Sequence, residues 1–244
     1  MPAPSPPTTQ ARILILDVGG SHIKGTVLHA DGVEVAPYQR LMTPKPATPE
    51  RVLATAEQLV ALLGDFDYLS MGFPGYVRDG IVHTAPNLGT PDWAGVPLAQ
   101  QLTERFGRPA RVVNDADLLG LGIAGGRGLE LVVTLGTGFG TALLLNGVLL
   151  PHLELAHHPI LKDTDYDQYI GERELERVGP EVWNGRLREV IGILETVFHY
   201  DTLHLAGGNS RVINFDPGPR VKLSDNRTGI RGGIRLWAEE LARG

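Results

Sequence analysis

Short apolar runs bounded by glycine, asparagine and aspartate alternate along this chain with longer stretches of helical spacing. Arg12–Asp17 is a compact apolar run and predicts a buried strand. Ile23–His29 predicts a second strand. Asp31-Gly32 then supplies the positive φ of a two-residue hairpin, and Val33–Leu41 returns as a third. Thr48-Pro49-Glu50 opens a helix with a cap, a first-turn proline and an acid at the positive dipole end. Val52, Leu59, Leu62 and Leu63 follow helical spacing, and Gly64 ends the helix. Tyr68–Phe73 predicts a strand ending at Pro74-Gly75. An irregular stretch runs through Thr84-Ala85-Pro86-Asn87 to Trp93. Pro97–Phe106 predicts a helix and Arg111–Asn114 a strand. The first half therefore reads as a three-stranded meander followed by parallel additions.

The second half starts again. Leu129–Leu135 predicts a strand, Gly136–Gly140 a glycine-rich turn, and Thr141–Leu145 a return strand closed by Asn146-Gly147. His152–Arg177 is polar and reads as loop with some helix. Glu181–Phe198 predicts a helix, with Trp183, Leu187, Val190, Leu194 and Val197 in one apolar stripe. Leu203–Ala206 predicts a strand running into Gly207-Gly208. Arg231–Leu241 predicts a helix with Ile234, Trp237 and Leu241 on one face.

The halves share a register. Gly25-Thr26 aligns with Gly140-Thr141, Leu28 with Leu143 and Gly32 with Gly147, all at a separation of 115 residues. A repeated hairpin with a glycine tip predicts two like domains, over residues 11–115 and 116–228. A C-terminal helix over 229–244 is expected to pack back on the first. Residues 1–10, rich in proline, read as a disordered tail. Two facing glycine tips would aim bare backbone amides at one anion, which predicts phosphate chemistry in an interdomain cleft.

Composition narrows the partners. The 244 residues are 42% hydrophobic with a net charge of −6, which fits a globular chain with a sizeable core. That charge argues against nucleic acid as the main partner. No run approaches the roughly 18 apolar residues a membrane helix needs. The absence of cysteine excludes disulfides, thiol nucleophiles and thiolate metal sites. The start of the chain has neither a basic segment nor an apolar core of a signal peptide, so the cytoplasm is the expected location.

The candidate chemistry lies in five places. Asp17-Val18-Gly19-Gly20-Ser21 with Lys24 can hold a phosphate on backbone amides. In that turn Asp17 can hold magnesium through water and Lys24 can neutralise a transferring group. An ordinary hairpin would use glycine there too. A strand follows this turn, so it is neither a Walker loop nor a dinucleotide fingerprint. Gly136-Thr137-Gly138-Phe139-Gly140 offers an anion cradle or simply a bend between strands. Asn114-Asp115 closes a parallel strand, where α/β sheets bind ligands. A carboxylate there can take a proton from a hydroxyl or cap a helix. Glu154, His157 and the loop residue Asn87 can hydrogen-bond a polyhydroxyl ligand. Gly207-Gly208 can let an adenine or ribose lie flat, or turn a strand into a helix.

Together these segments resemble the ROK family of sugar kinases, whose fold is actin-like, a duplicated two-domain ribonuclease-H-like α/β fold. Asp17–Lys24 resembles its first phosphate motif. Gly72–Val77 and Ala85-Pro86-Asn87 resemble its sugar-side loops, Val113–Ala116 its catalytic segment and Leu135–Gly140 its second phosphate motif. Gly207-Gly208 resembles its adenosine motif. The chain is most similar to the polyphosphate glucokinase branch and lacks the cysteine-rich zinc motif of many members, so no structural zinc is expected. Two positions depart from the family pattern: Ala156 in Glu154-Leu155-Ala156-His157, and Ala206 before Gly207.

The resemblance implies a magnesium-dependent kinase acting on the 6-hydroxyl of a hexose, glucose first, with ATP or polyphosphate as donor. Asp115 would be the general base, and Asn87, Asn114, Glu154 and His157 would bind the sugar. Gly19, Gly20, Ser21, Lys24, Gly136, Thr137, Gly138, Gly140, Gly207 and Gly208 would bind the donor, with Asp17 on the metal. A homodimer is the expected assembly. A non-catalytic sugar sensor of the same family is the alternative. The DNA-binding repressor form is not expected, since only the proline-rich tail precedes Arg12.

Overall fold

The computed structural model describes residues 10–225 and 229–242. Of the expected tail, all but Gln10 lies outside the described residues, as do 226–228 at the end of the second expected domain and 243–244 of the expected C-terminal helix.

β1 (Arg12–Val18), β2 (His22–His29) and β3 (Glu34–Met42) form the meander. β4 (Tyr68–Phe73) and β7 (Ala110–Asn114) join in parallel on the other side of β1, giving the order β3-β2-β1-β4-β7. A small hairpin of β5 (Val77–Arg78) and β6 (Ile81–Val82) lies between them in sequence. The second sheet repeats the plan. β8 (Leu129–Leu135), β9 (Phe139–Leu145) and β10 (Val148–Leu149) make the meander. After the short pair β11 (Pro159–Leu161) and β12 (Thr164–Asp165), β13 (Thr202–Ala206) and β14 (Val221–Leu223) add in parallel. The order is β10-β9-β8-β13-β14. This is the actin-like, ribonuclease-H-like duplication expected from the sequence. The described residues up to Leu118 and from Ile230 form one compact unit, and Leu119–Gly229 form the other.

In the first unit, pleating sends Leu14, Leu16 and Val18 of β1 into one core, with α1 (Pro49–Leu63) and α2 (Leu98–Phe106). Leu62, expected in the apolar stripe of α1, is 62% exposed, while Leu53, Ala56 and Leu63 are buried. Ile13 and Ile15 face the opposite core with Tyr68, Leu118 and Trp237. The expected C-terminal helix is two short ones, Gly232–Arg235 and Ala238–Ala242. Trp237 sits where they meet. Its Nε1 donates to Ser70 Oγ at 2.9 Å, and the Arg111 guanidinium lies 4.3 Å from its ring centre.

α3 (Asp115–Ile123) starts directly at the end of β7. After α4 (Tyr166–Ile170), α5 covers Glu172–Phe198 and kinks at Gly179, with φ 79°, just before Pro180. The expected helix Glu181–Phe198 is its second limb. Trp183, Leu187, Val190 and Leu194 are buried as predicted, but Val197 is 63% exposed and Phe198 packs in its place.

Candidate active site

In the first unit the parallel ladders align three strand ends. Asp17 pairs with Gly72 and Phe73 with Asn114. The carboxyl ends of β1, β4 and β7 therefore present Asp17 and the turn after it, Pro74-Gly75, and Asn114-Asp115 along one edge. This is where α/β sheets receive ligands. Asn114 ties two of these ends together. Its Nδ2 donates to the Gly75 carbonyl at 3.1 Å, and its Oδ1 accepts the Ala116 and Asp117 amides at 2.8 and 3.3 Å. Asn114 is thus the N-cap of α3, which leaves Asp115 as the first residue at the positive end of the helix. Asp115 Oδ1 also accepts the Ala116 amide at 2.9 Å. Gly75 is required by its surroundings, because a Cβ there would overlap the Thr84 carbonyl. That close approach fixes the loop leading to Asn87. The exposed Asn87 returns to the first turn, where a Cβ on Gly20 would stand 3.3 Å from its carbonyl.

The first turn is braced by a residue the sequence reading passed over. Thr43 is buried just beyond β3. Its Oγ1 donates to the Gly19 carbonyl at 2.6 Å and its amide to the Ser21 carbonyl at 3.0 Å. Asp17 and Lys24 are cross-strand partners, with Nζ 3.7 Å from the carboxylate. Burial pushes the Asp17 carboxyl up from the ordinary range, and Lys24 pulls it back.

The second unit holds Gly136, Thr137, Gly138, Gly140, Glu154, His157, Gly207 and Gly208. Leu135 pairs with Phe139, so Gly136–Gly138 is the tip, and Gly140 lies one rung behind it opposite Thr134. The Gly136 carbonyl accepts the Glu172 amide at 3.0 Å and Asn209 Nδ2 at 3.2 Å. Gly207 has φ 93°, and a Cβ on it would overlap the Leu135 backbone. Its glycine therefore lets β13 close against the root of the turn. Gly208 is exposed, with open space where a Cβ would stand.

Asp167 is the functional candidate that the sequence reading missed. A capping box of Asp165 and Gln168 starts α4, and Tyr166 stacks on Phe139 at 5.0 Å between ring centres. This delivers Asp167 to the turn, where its Oδ1 accepts the Phe139 amide at 2.6 Å. Burial raises its carboxyl above the ordinary range. The Phe139 amide and His157 oppose the shift, and Asp165 and Glu154 add to it. Asp167, Glu154 and His157 therefore share one electrostatic neighbourhood. His157 is half-exposed, with Nδ1 3.9 Å from Asp165, and Glu154 Oε1 lies 3.6 Å from His152 Nε2. The cap pattern Asp165-x-x-Gln168 was the available signal for this segment.

Two copies of one sheet, each with a glycine tip, together with an acid at the start of a helix beyond β7, define an actin-like protein of the phosphate-handling kind. The model of the ROK family matches residues 13–152. Polyphosphate glucokinase of Mycobacterium tuberculosis (strain CDC 1551 / Oshkosh) is 32% identical over 91% of this chain and 86% of its own. Among solved structures, inorganic polyphosphate/ATP-glucomannokinase from Arthrobacter sp. strain KM superposes with a TM-score of 0.80. It is 31% identical over 94% of this chain and 99% of that one. A ROK family glucokinase from Streptomyces griseus, solved with glucose and AMPPNP, shares the fold at a TM-score of 0.74. The two are 20% identical over 93% and 99% of the respective chains. The chain belongs to the ROK family.

Proposed function

We propose that this protein is a hexose kinase that transfers the terminal phosphoryl group of polyphosphate or ATP to the 6-hydroxyl of glucose. The observation that carries this reading is the shared edge of β1, β4 and β7. Asp115 stands there at a helix start, in the same sheet as the glycine turn that follows Asp17. The names of the relatives above support the substrate class.

In the proposed reaction Asp115 takes the 6-hydroxyl proton as that oxygen bonds to the terminal phosphorus. The bond from phosphorus to the bridging oxygen breaks, and the shortened donor leaves with its electrons. Asn87, Glu154 and His157 hold the other sugar hydroxyls, and the second hydrogen of Asn114 Nδ2 can join them. Asp167 is added to this set by its neighbourhood with Glu154 and His157. The amides of both turns, Thr137 and Lys24 hold the donor, so the rate comes mainly from positioning and charge stabilisation.

Magnesium is held by one or two carboxylates, with phosphate oxygens and water completing the shell. Asp17 at its strand end fits that demand. Among the described residues no group of three or more His, Asp or Glu gathers to hold a metal by itself. When bound, the ion would offset the charge on the donor phosphates. No helix among the described residues is long and apolar enough to cross a membrane. We take the protein to work in the cytoplasm as a homodimer, without nucleic-acid or membrane partners.

The test is a coupled assay with glucose and magnesium, offering ATP and polyphosphate in turn. Turnover with at least one donor is expected. Asp115→Asn should lower kcat by about 10³-fold while glucose binding, read by calorimetry, stays within about threefold. No turnover with any common hexose and either donor would sink the reading, and an active Asp115→Asn would sink the mechanism.

A further inference from the structure

The Gly136 carbonyl is where two distant segments meet the second turn. Residues 172–173 reach it through the Glu172 amide, and residues 209–211 through Asn209 Nδ2. Each segment carries an exposed arginine one or two positions on, Arg173 and Arg211. Farther along, Asn184 of α5 donates to the Val212 carbonyl at 3.0 Å and accepts the Asn214 amide at 3.2 Å, which seats the helix on this loop. One helical turn later the exposed Arg188 lies 4.2 Å over the Phe215 ring.

These three arginines differ from others in the same unit. Arg177 and Arg186 share Glu174, and Arg220 pairs with Glu195. Arg173, Arg188 and Arg211 have no carboxylate within 4.0 Å among the described residues. The chain as a whole is acidic, at −6. Against that acidic background, three exposed guanidinium groups without an acidic partner lie on segments tied to one glycine tip, Arg188 resting on the Phe215 ring. In the same strand-to-loop segment as Asn209 and Arg211, the backbone at Gly208 has open space around it.

We propose that Arg173, Arg211 and Arg188 form a cationic path for a linear polyphosphate chain whose reacting end lies at the 136–138 turn. This rests on the donor reading given above. Such a chain carries repeated negative charge and no ring, so it must be held by charge and phosphate geometry along its length. A guanidinium fork meets two phosphate oxygens at once and stays charged at all working pH values. An adenine would gain nothing from charges spaced along a surface. The path thus selects for donor length and acts beyond the phosphates that ATP and tripolyphosphate share with the chain.

The experiment compares the full-length protein with Arg173→Gln/Arg188→Gln/Arg211→Gln in the coupled assay. Long-chain polyphosphate, tripolyphosphate and ATP serve as donors. The triple variant should raise KM for long-chain polyphosphate by about tenfold or more. KM for glucose, ATP and tripolyphosphate should stay within about twofold. The slope of log KM against log salt should fall by close to one per arginine removed, as for other linear polyanions. Arg211→Glu alone, at an exposed position, keeps the test readable if the triple variant does not fold. Unchanged KM and salt slope for long-chain polyphosphate would overturn the proposal. Equal losses with ATP would overturn it too, marking these arginines as part of a nucleotide site. A wild-type protein that uses ATP but no polyphosphate would remove the donor reading and the path with it. Inactivity with every donor would instead mark failure of the kinase reading.

Discussion

The two glycine turns close hairpins at the same place in two sheets of the same order, yet they are held in opposite ways. The first carries its charge at its own root, where Asp17 and Lys24 face each other across the ladder. A single threonine just beyond β3 ties both of its ends. The second carries no charge on its own strand ends. Asp167, Glu172, Gly207 and Asn209 support it, all from segments remote in sequence. Leu16 pairs with Gly25 and Thr134 with Gly140, so the first hairpin is the longer of the two between aligned glycines. Duplication copied the strand order and the place of the turn. Each copy then took its chemistry from whatever chain came close.

This contrast can be broken at Gly207 first. Gly207→Ala forces a Cβ into the Leu135 backbone at a positive φ, and should cost about 3 kcal/mol or more in urea unfolding. Gly208→Ala, one residue on in open space, should stay within about 0.5 kcal/mol. Equal effects would mean that the second turn does not depend on its remote support. Thr43→Val keeps the shape but removes the hydroxyl that serves Gly19. It should cost about 1–3 kcal/mol and weaken donor binding more than glucose binding, as read from the two KM values. A loss confined to glucose would detach Thr43 from the donor role proposed for the first turn.

The smallest effect sharpens the electrostatic side. Asp167→Asn keeps an oxygen for the Phe139 amide and removes the charge. The folded carboxyl lies above its usual value of 3.8 because of burial, so its ionisation costs folding free energy. In the wild type that cost is absent below the unfolded value and grows as pH rises from about 4 through the folded value. The variant should therefore lose less stability than the wild type between pH 4 and pH 7. Parallel urea midpoints across that range would contradict the burial argument.

The sequence was most legible where partners are neighbours. The meanders, the hairpin turns and the strand end at Asp115 follow from short-range apolar patterning and turn residues. The brace at Thr43 was not visible, because a threonine beyond an edge strand has no pattern of its own. Asp167 hid for a related reason. It sits on a helix of five residues inside a polar stretch, too short to show a period. Val197 shows the opposite failure. Helical spacing continues the stripe, but at the last turn of α5 it is Phe198 that meets the core. The C-terminal break is set by tertiary anchors, the contacts of Trp237 with Ser70 and Arg111.

The chain leaves the first unit at Leu118 and re-enters it at Ile230. The second unit is thus contiguous, whereas the first is interrupted by it. On a ribosome, all strands of the second sheet emerge before Gly233 and Trp237, which cover Ile15 and Tyr68. The half made first is therefore the half finished last. Until synthesis reaches Trp237, the apolar back of β1 and β4 must wait uncovered, and a chaperone or a stalled chain would meet it there.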